Sequence, residues 1–271
     1  MDILSRLDEA AACVRQRLGD AWAAAVVLGS GLGGFASRVE DARALDYSEI
    51  PHFPVSTVEG HAGKLIGGKV AGKRLLVMAG RFHYYEGNSM EQVTFGIRVL
   101  HRLGVKVLLL SNAGGGVNPA FRPGDVMLIT DHINLMPNPL VGPNIEELGP
   151  RFPNMSDAYS PRLADLARHA SALRKVPLTQ GCYLGSTGPT FETPHEYNFF
   201  RTIGADAVGM STVPEVIVAR HCGMEVLAFS VISNVGGLYS HKEVSHQEVQ
   251  EVGALAEKRL TELILGVLET M

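Results

Sequence analysis

Ile3, Leu4, Leu7, Ala11, Val14 and Leu18 recur at helical spacing and Gly19 ends the run, so an amphipathic helix is predicted over residues 3–18. The period then changes. Residues 23–28 are continuously apolar, as in a buried strand, and further strands are predicted over 64–70 and 74–79, joined by a turn at Gly72, and over 106–110, 124–131, 181–184, 207–210 and 225–233. Helical patterns cover 91–103, 161–173 and 216–221, and 244–271 reads as a long C-terminal helix. Residues 35–50 hold a short helical stretch and no apolar strand. Residues 131–161, polar and rich in proline and glycine, predict no long element. A loop of that length usually serves as a lid or a subunit contact, and its apolar Phe152 and Met155 argue against disorder. Neither an internal repeat nor a domain linker stands out.

Chemistry gathers where strands end. The first strand runs into Gly29-Ser30-Gly31-Leu32-Gly33-Gly34, which permits three readings: a turn, a single-phosphate cradle with Ser30 as hydroxyl donor, or a dinucleotide fingerprint. The fingerprint requires a second strand ending in an acid roughly 20 residues on. Asp46 or Glu49 would have to serve, without an apolar strand before them. After residue 79 come Arg81 and His83, two apart, with Tyr85 continuing the same side if the backbone stays extended. Arginine binds phosphate oxygens through its planar fork, and histidine donates a hydrogen bond or carries a proton near neutral pH. A glycine-rich loop, residues 111–116, is expected after the strand at 106–110. After 207–210, Thr212 and Glu215 have capping-box spacing with Pro214 in the first turn, so N–H groups near Ser211 should face an anion. Phe191 beside Glu192, between Pro189 and Pro194, suits a flat ligand with polar edges. Singly, each has a plainer use: Thr212 as a cap, Phe191 in a core, Arg81 in an ion pair, His61 and His83 as structural histidines. Together, loops after residues 28, 79, 110 and 210 would share the crevice at the carboxyl ends of the strands.

The chain has 271 residues, 46% of them hydrophobic, with 30 glycines and a formal net charge of −4. That balance gives no electrostatic reason to bind nucleic acid or an anionic membrane, so an anionic substrate needs a local positive site. The three cysteines, Cys13, Cys182 and Cys222, form no CxxC pair, which suits a reducing compartment. No signal peptide or membrane-length apolar run is present, and a cytoplasmic protein is expected.

The ordered segments GSGLGG at 29–34, GHAG at 60–63, GRFHYYEG at 80–87, NAGGGVNP at 112–119, GPTFET at 188–193 and VGMSTVPEVIVARH at 208–221, with Ser233-Asn234 downstream, are similar to those of the purine nucleoside phosphorylases of low-molecular-mass, homotrimeric type. The resemblance extends over about residues 26–246. It implies one α/β domain spanning 1–271, a twisted mixed sheet flanked by helices, and reversible phosphorolysis of 6-oxopurine ribonucleosides and deoxyribonucleosides such as inosine and guanosine. It implies no metal and no organic cofactor, inorganic phosphate being a co-substrate. Carried over by motif, Ser30, Arg81, His83, the Ala113 N–H and Ser211 would bind phosphate, with His61 nearby. Tyr85, Met210 and His246 would surround the sugar, closed over by Phe152 of a neighbouring subunit in a homotrimer. Phe191 would lie beside the base, with Glu192 on its N1 side and Asn234 at N7 and O6. Asn234, Glu192 and His83 would carry catalysis. The chain departs from the pattern at Gly114, where alanine is frequent, and at Val235, where some members have lysine. The rival readings are a nicotinamide-dependent oxidoreductase and a nucleoside-binding protein without turnover.

Overall fold

The computed structural model describes residues 1–30, 32–54, 62–237 and 245–271. Its first element, α1 (Ile3–Leu18), buries the predicted stripe Leu7, Ala11, Val14 and Leu18. The Asp2 carboxylate caps it by accepting the Ser5 N–H at 2.9 Å, and the chain leaves at Gly19 with φ 93°. There follow β1 (Ala24–Leu28), β2 (Glu40–Asp46), β3 (Lys64–Val70), β4 (Lys73–Ala79), α2 (Met90–Arg102), β5 (Val107–Gly116), β6 (Val126–Asn134), α3 (Pro161–Arg174), β7 (Thr179–Gly185), α4 (Pro194–Thr202), β8 (Ala207–Gly209), α5 (Val213–His221), β9 (Glu225–Val235) and α6 (His246–Thr270).

The strands form one mixed sheet in which β4, β1, β5 and β9 run parallel, with β2 and β3 added antiparallel beyond β4. Its other end closes on itself. β9 pairs antiparallel with β6, β6 parallel with β7, β7 parallel with β8, and β8 returns antiparallel to the last residues of β5 through Gly115↔Val208 and Gly116↔Ala207. The continuous apolar runs follow from burial on both faces of the central strands. In β9, Val226, Ala228 and Ile232 join the core beneath α1, α2 and α5, whereas Leu227, Phe229 and Val231 join the core beneath α3 and α6.

Three expectations need correction. Residues 111–116 are not a loop after a strand but the second half of β5, paired throughout with β9. Their glycines are needed because neighbours fill the space of a side chain: a Cβ on Gly114 would lie 2.8 Å from the Val208 carbonyl oxygen, and one on Gly116 2.9 Å from Ile232. β2 lies where no strand was expected, since only Leu45 of its seven residues is buried and an exposed, charged strand shows no apolar period. Tyr85 does not continue an extended backbone from Arg81 and His83, because residues 84–86 form a 3₁₀ turn closed by Gly87. The polar stretch after Glu192 also hides a helix, α4.

Candidate active site

An open cleft enclosing about 650 Å³, its solvent-facing mouth included, lies at the carboxyl ends of β1, β4, β5 and β9. This is where ligands collect in such sheets, at a volume suited to a small ligand. One wall begins at Ser30, just beyond β1. Gly29 lets this loop lie against β5, since a Cβ there would be 2.8 Å from both Asn112 Cα and the Ser111 carbonyl oxygen. Arg81 follows β4 and is fully buried, yet lines the cleft. Its Nε donates to Glu215 Oε1 at 3.2 Å and its Nη1 to the Ser111 carbonyl at 2.6 Å, so the guanidinium plane is fixed by α5 and β5 together. His83 is held by Glu86, whose Oε2 accepts the His83 backbone N–H at 2.7 Å and lies 3.2 Å from Nδ1. The Tyr85 ring stacks on His83 with centroids 4.7 Å apart. Burial, reinforced by the Glu86 charge, pushes the Tyr85 hydroxyl up to about 12, so it remains a neutral donor at ordinary pH.

The turn from β8 into α5 supplies Ser211. Thr212 there adopts φ 71° and ψ −53°, a left-handed backbone that a β-branched residue avoids, at a cost of about 1–3 kcal/mol. Buried partners hold it: Glu215 Oε2 accepts its N–H at 3.0 Å, and its Oγ1 accepts from Asn112 Nδ2 at 2.8 Å. Glu215 thus caps the helix with one oxygen and orients Arg81 with the other, which joins the plain and the functional readings of this segment. Ser30, Arg81, His83, Ala113 and Ser211 all line the cleft.

The remainder of the cleft is set by the segment before α4 and by the end of β9. Gly188, at φ 62°, lies where a Cβ would be 2.3 Å from Met210 Sδ, which brings the 188–193 segment against Met210. Phe191, partly exposed, and Glu192 line the cleft beside Met210. Burial raises the Glu192 carboxyl above its ordinary range, opposed by its own backbone N–H and by the Tyr197 hydroxyl. Asn234 is buried; its Nδ2 donates to Tyr197 Oη at 3.2 Å and its Oδ1 accepts from Ser233 Oγ at 2.8 Å. His246, the first residue of α6, completes the lining, with Val249 one turn on.

Every candidate residue that the structure describes reaches this cleft except Phe152, which is 87% exposed beside a separate groove formed with His132, Leu140, Met155 and Ile217. His61 lies outside the described residues. Glu86, Asn112, Tyr197 and Ser233 were not anticipated. Tyr197 had a sequence signal, since Thr193 and Glu196 form a capping box that starts α4 and places Tyr197 in its first turn. Among the described residues, no three His, Cys, Asp or Glu side chains converge as metal ligands would, and no helix is long and apolar enough to cross a membrane.

Residues 23–269 match the model of the phosphorylase superfamily. The chain is 50% identical to purine nucleoside phosphorylase 1 of Bacillus subtilis, over 97% of each chain. It is also 50% identical to the purine nucleoside phosphorylase of Rattus norvegicus, over 91% of this chain and 88% of that one. In three dimensions it matches the Schistosoma mansoni purine nucleoside phosphorylase solved in complex with adenosine, with a TM-score of 0.94 and 38% identity over 99% of this chain and 98% of that one. In sequence and in fold, then, the chain belongs to the purine nucleoside phosphorylases of the phosphorylase superfamily, and is an enzyme that transfers a pentosyl group.

Proposed function

We propose that this enzyme catalyses the reversible phosphorolysis of 6-oxopurine ribonucleosides and deoxyribonucleosides, with inosine and guanosine as substrates, yielding the free base and the sugar 1-phosphate. The observation that carries this reading is that Ser30, Arg81, His83, Ala113 and Ser211 line the same cleft as Glu192 and Asn234. In this reading Ser30, Arg81, His83, the Ala113 N–H and Ser211 hold inorganic phosphate, with His61 nearby. Tyr85, Met210 and His246 surround the sugar, and Phe191 lies beside the base. Breaking the glycosidic bond puts positive charge on the sugar and negative charge on the departing purine, so the site must stabilise both. Phosphate, fixed by Arg81 and His83, lies beneath the sugar carbon as counter-charge and nucleophile. The Asn234 amide donates to N7 or O6 as the base departs, and Glu192 holds the N1 edge. No metal or organic cofactor enters the scheme.

Selectivity rests on hydrogen-bond direction. A 6-oxopurine presents an acceptor at O6 and a donor at N1, matching an amide N–H and an ionised carboxylate, whereas adenine reverses both groups. The Schistosoma relatives were solved with adenosine and with hypoxanthine, so binding alone does not discriminate and turnover must be compared. We further propose a cytoplasmic homotrimer in which Phe152 closes over a neighbouring subunit's sugar site. The decisive assay is base release from inosine, guanosine and adenosine with and without phosphate. Release should require phosphate, accept arsenate in its place, and favour inosine over adenosine by orders of magnitude in kcat/KM. Release at full rate without phosphate would indicate hydrolysis and remove the anion assignments; equal use of adenosine would remove the base assignments.

A further inference from the structure

The turn from β8 into α5 holds two buried hydroxyls side by side. Across Thr212 the Val213 N–H returns to the Ser211 carbonyl at 2.8 Å, and with φ 71° and ψ −53° at Thr212 this is the strained form of the γ-turn. Glycine would adopt that backbone freely. A threonine there is engaged through its hydroxyl instead: Thr212 is fully buried, and its Oγ1 lies 2.8 Å from Asn112 Nδ2 of β5 and 3.1 Å from Ser211 Oγ. The first contact sets the direction of the second. An amide nitrogen only donates, so the Thr212 oxygen accepts from Asn112 and its single proton goes to Ser211 Oγ. Ser211, receiving one proton, keeps its own to donate into the cleft that it lines. With the Asn112 amide oxygen toward Thr212 the order would reverse: Thr212 would donate to Asn112, Ser211 would donate to Thr212, and a Ser211 lone pair would face the cleft and repel an anion.

We propose that Asn112 and Thr212 are positioning residues that fix the Ser211 hydroxyl as a donor toward the cleft, ready to bind an oxyanion of phosphate. The inference rests on the assignment of Ser211 to phosphate. The turn itself is held by other bonds, from the Thr212 N–H to Glu215 Oε2 at 3.0 Å and from the Val213 N–H to the Ser211 carbonyl, so the Thr212 hydroxyl can be removed with the backbone still anchored.

The test is a double-mutant cycle on the full enzyme, with the Kd of inorganic phosphate measured by calorimetry and the phosphate and nucleoside KM values beside it. Thr212→Val keeps the shape and the β-branch and removes the hydroxyl. It should weaken phosphate binding about tenfold, the scale of one hydrogen bond to a charged group, with the nucleoside KM unchanged, and Thr212→Ser should restore wild-type phosphate affinity. In a Ser211→Ala background Thr212→Val should cost nothing further, because its effect passes through that hydroxyl. Asn112→Ala, which leaves the strained turn untouched, asks the same question from the first donor: its loss of phosphate affinity should also vanish beside Ser211→Ala. Unaltered phosphate affinity in Thr212→Val or in Asn112→Ala, additive losses in either cycle, or a Thr212→Ser enzyme as weak as Thr212→Val overturns the relay alone. Wild-type phosphate affinity in Ser211→Ala removes the assignment of Ser211 to phosphate and the relay with it.

Discussion

Glu215 shows how one side chain can serve fold and chemistry at once. Both it and Arg81 are buried, and their contact is a salt bridge with Nε···Oε1 at 3.2 Å. A buried pair contributes little net stability, but removing one partner strands a charge and costs about 3–5 kcal/mol. Glu215→Gln can keep the hydrogen bond to the Thr212 N–H while removing the negative charge beside Arg81. It should lower stability to urea by about 3 kcal/mol in phosphate-free buffer. Added phosphate, a replacement anion for Arg81, should raise the melting temperature of the variant more than that of the wild type. Equal phosphate shifts would place the anion elsewhere. At this scale the sequence was informative wherever a strand ended in an unusual polar residue: Ser30, Arg81, His83, Ser211 and Asn234 were all read and all line the cleft. It was silent about Ser233 and Asn112, because a buried serine or asparagine gains its meaning from partners distant in the chain.

Among the elements, those with a clear period were legible. The α1 stripe and the β1, β3, β4 and β9 runs are found close to their predicted bounds, because burial on one stripe or on both faces leaves a periodic trace. The glycine half of β5 was not legible. Glycine is a poor strand former, and the need for it arises from close approach of β8, β9 and Tyr197, which no local pattern records. Its packing can be tested at Gly115. Gly115→Ala should crowd the Tyr197 hydroxyl and destabilise the protein by about 1–3 kcal/mol, the usual scale of overpacking. The loss should be smaller in a Tyr197→Phe background. Additive losses in a double-mutant cycle would mean that the methyl group meets something other than the phenol.

At the scale of the whole molecule, Phe152 stands exposed at the surface. Phe152→Ala removes no packing within the chain's own cores, so a monomeric enzyme should be indifferent to it. In the proposed trimer, it should raise the nucleoside KM about tenfold through loss of a buried aromatic at the sugar, with little change in the phosphate KM. Sedimentation equilibrium should give three chains per particle for the wild type, and a fully active monomer would refute the arrangement. The closed end of the sheet has a different kind of consequence. Because β5, β9, β6, β7 and β8 complete a ring, β2 is the lone terminal strand of the sheet among the described residues. It carries Glu40, Asp41, Arg43 and Asp46, its register shifts between Glu40 and Arg43, and Asp41 sits at φ 52°. Charge and an irregular backbone together disfavour the addition of a foreign strand. Among its described residues, a chain nearly half hydrophobic therefore leaves one seam open to amyloid-like growth, and that seam is studded with charges and bent out of register.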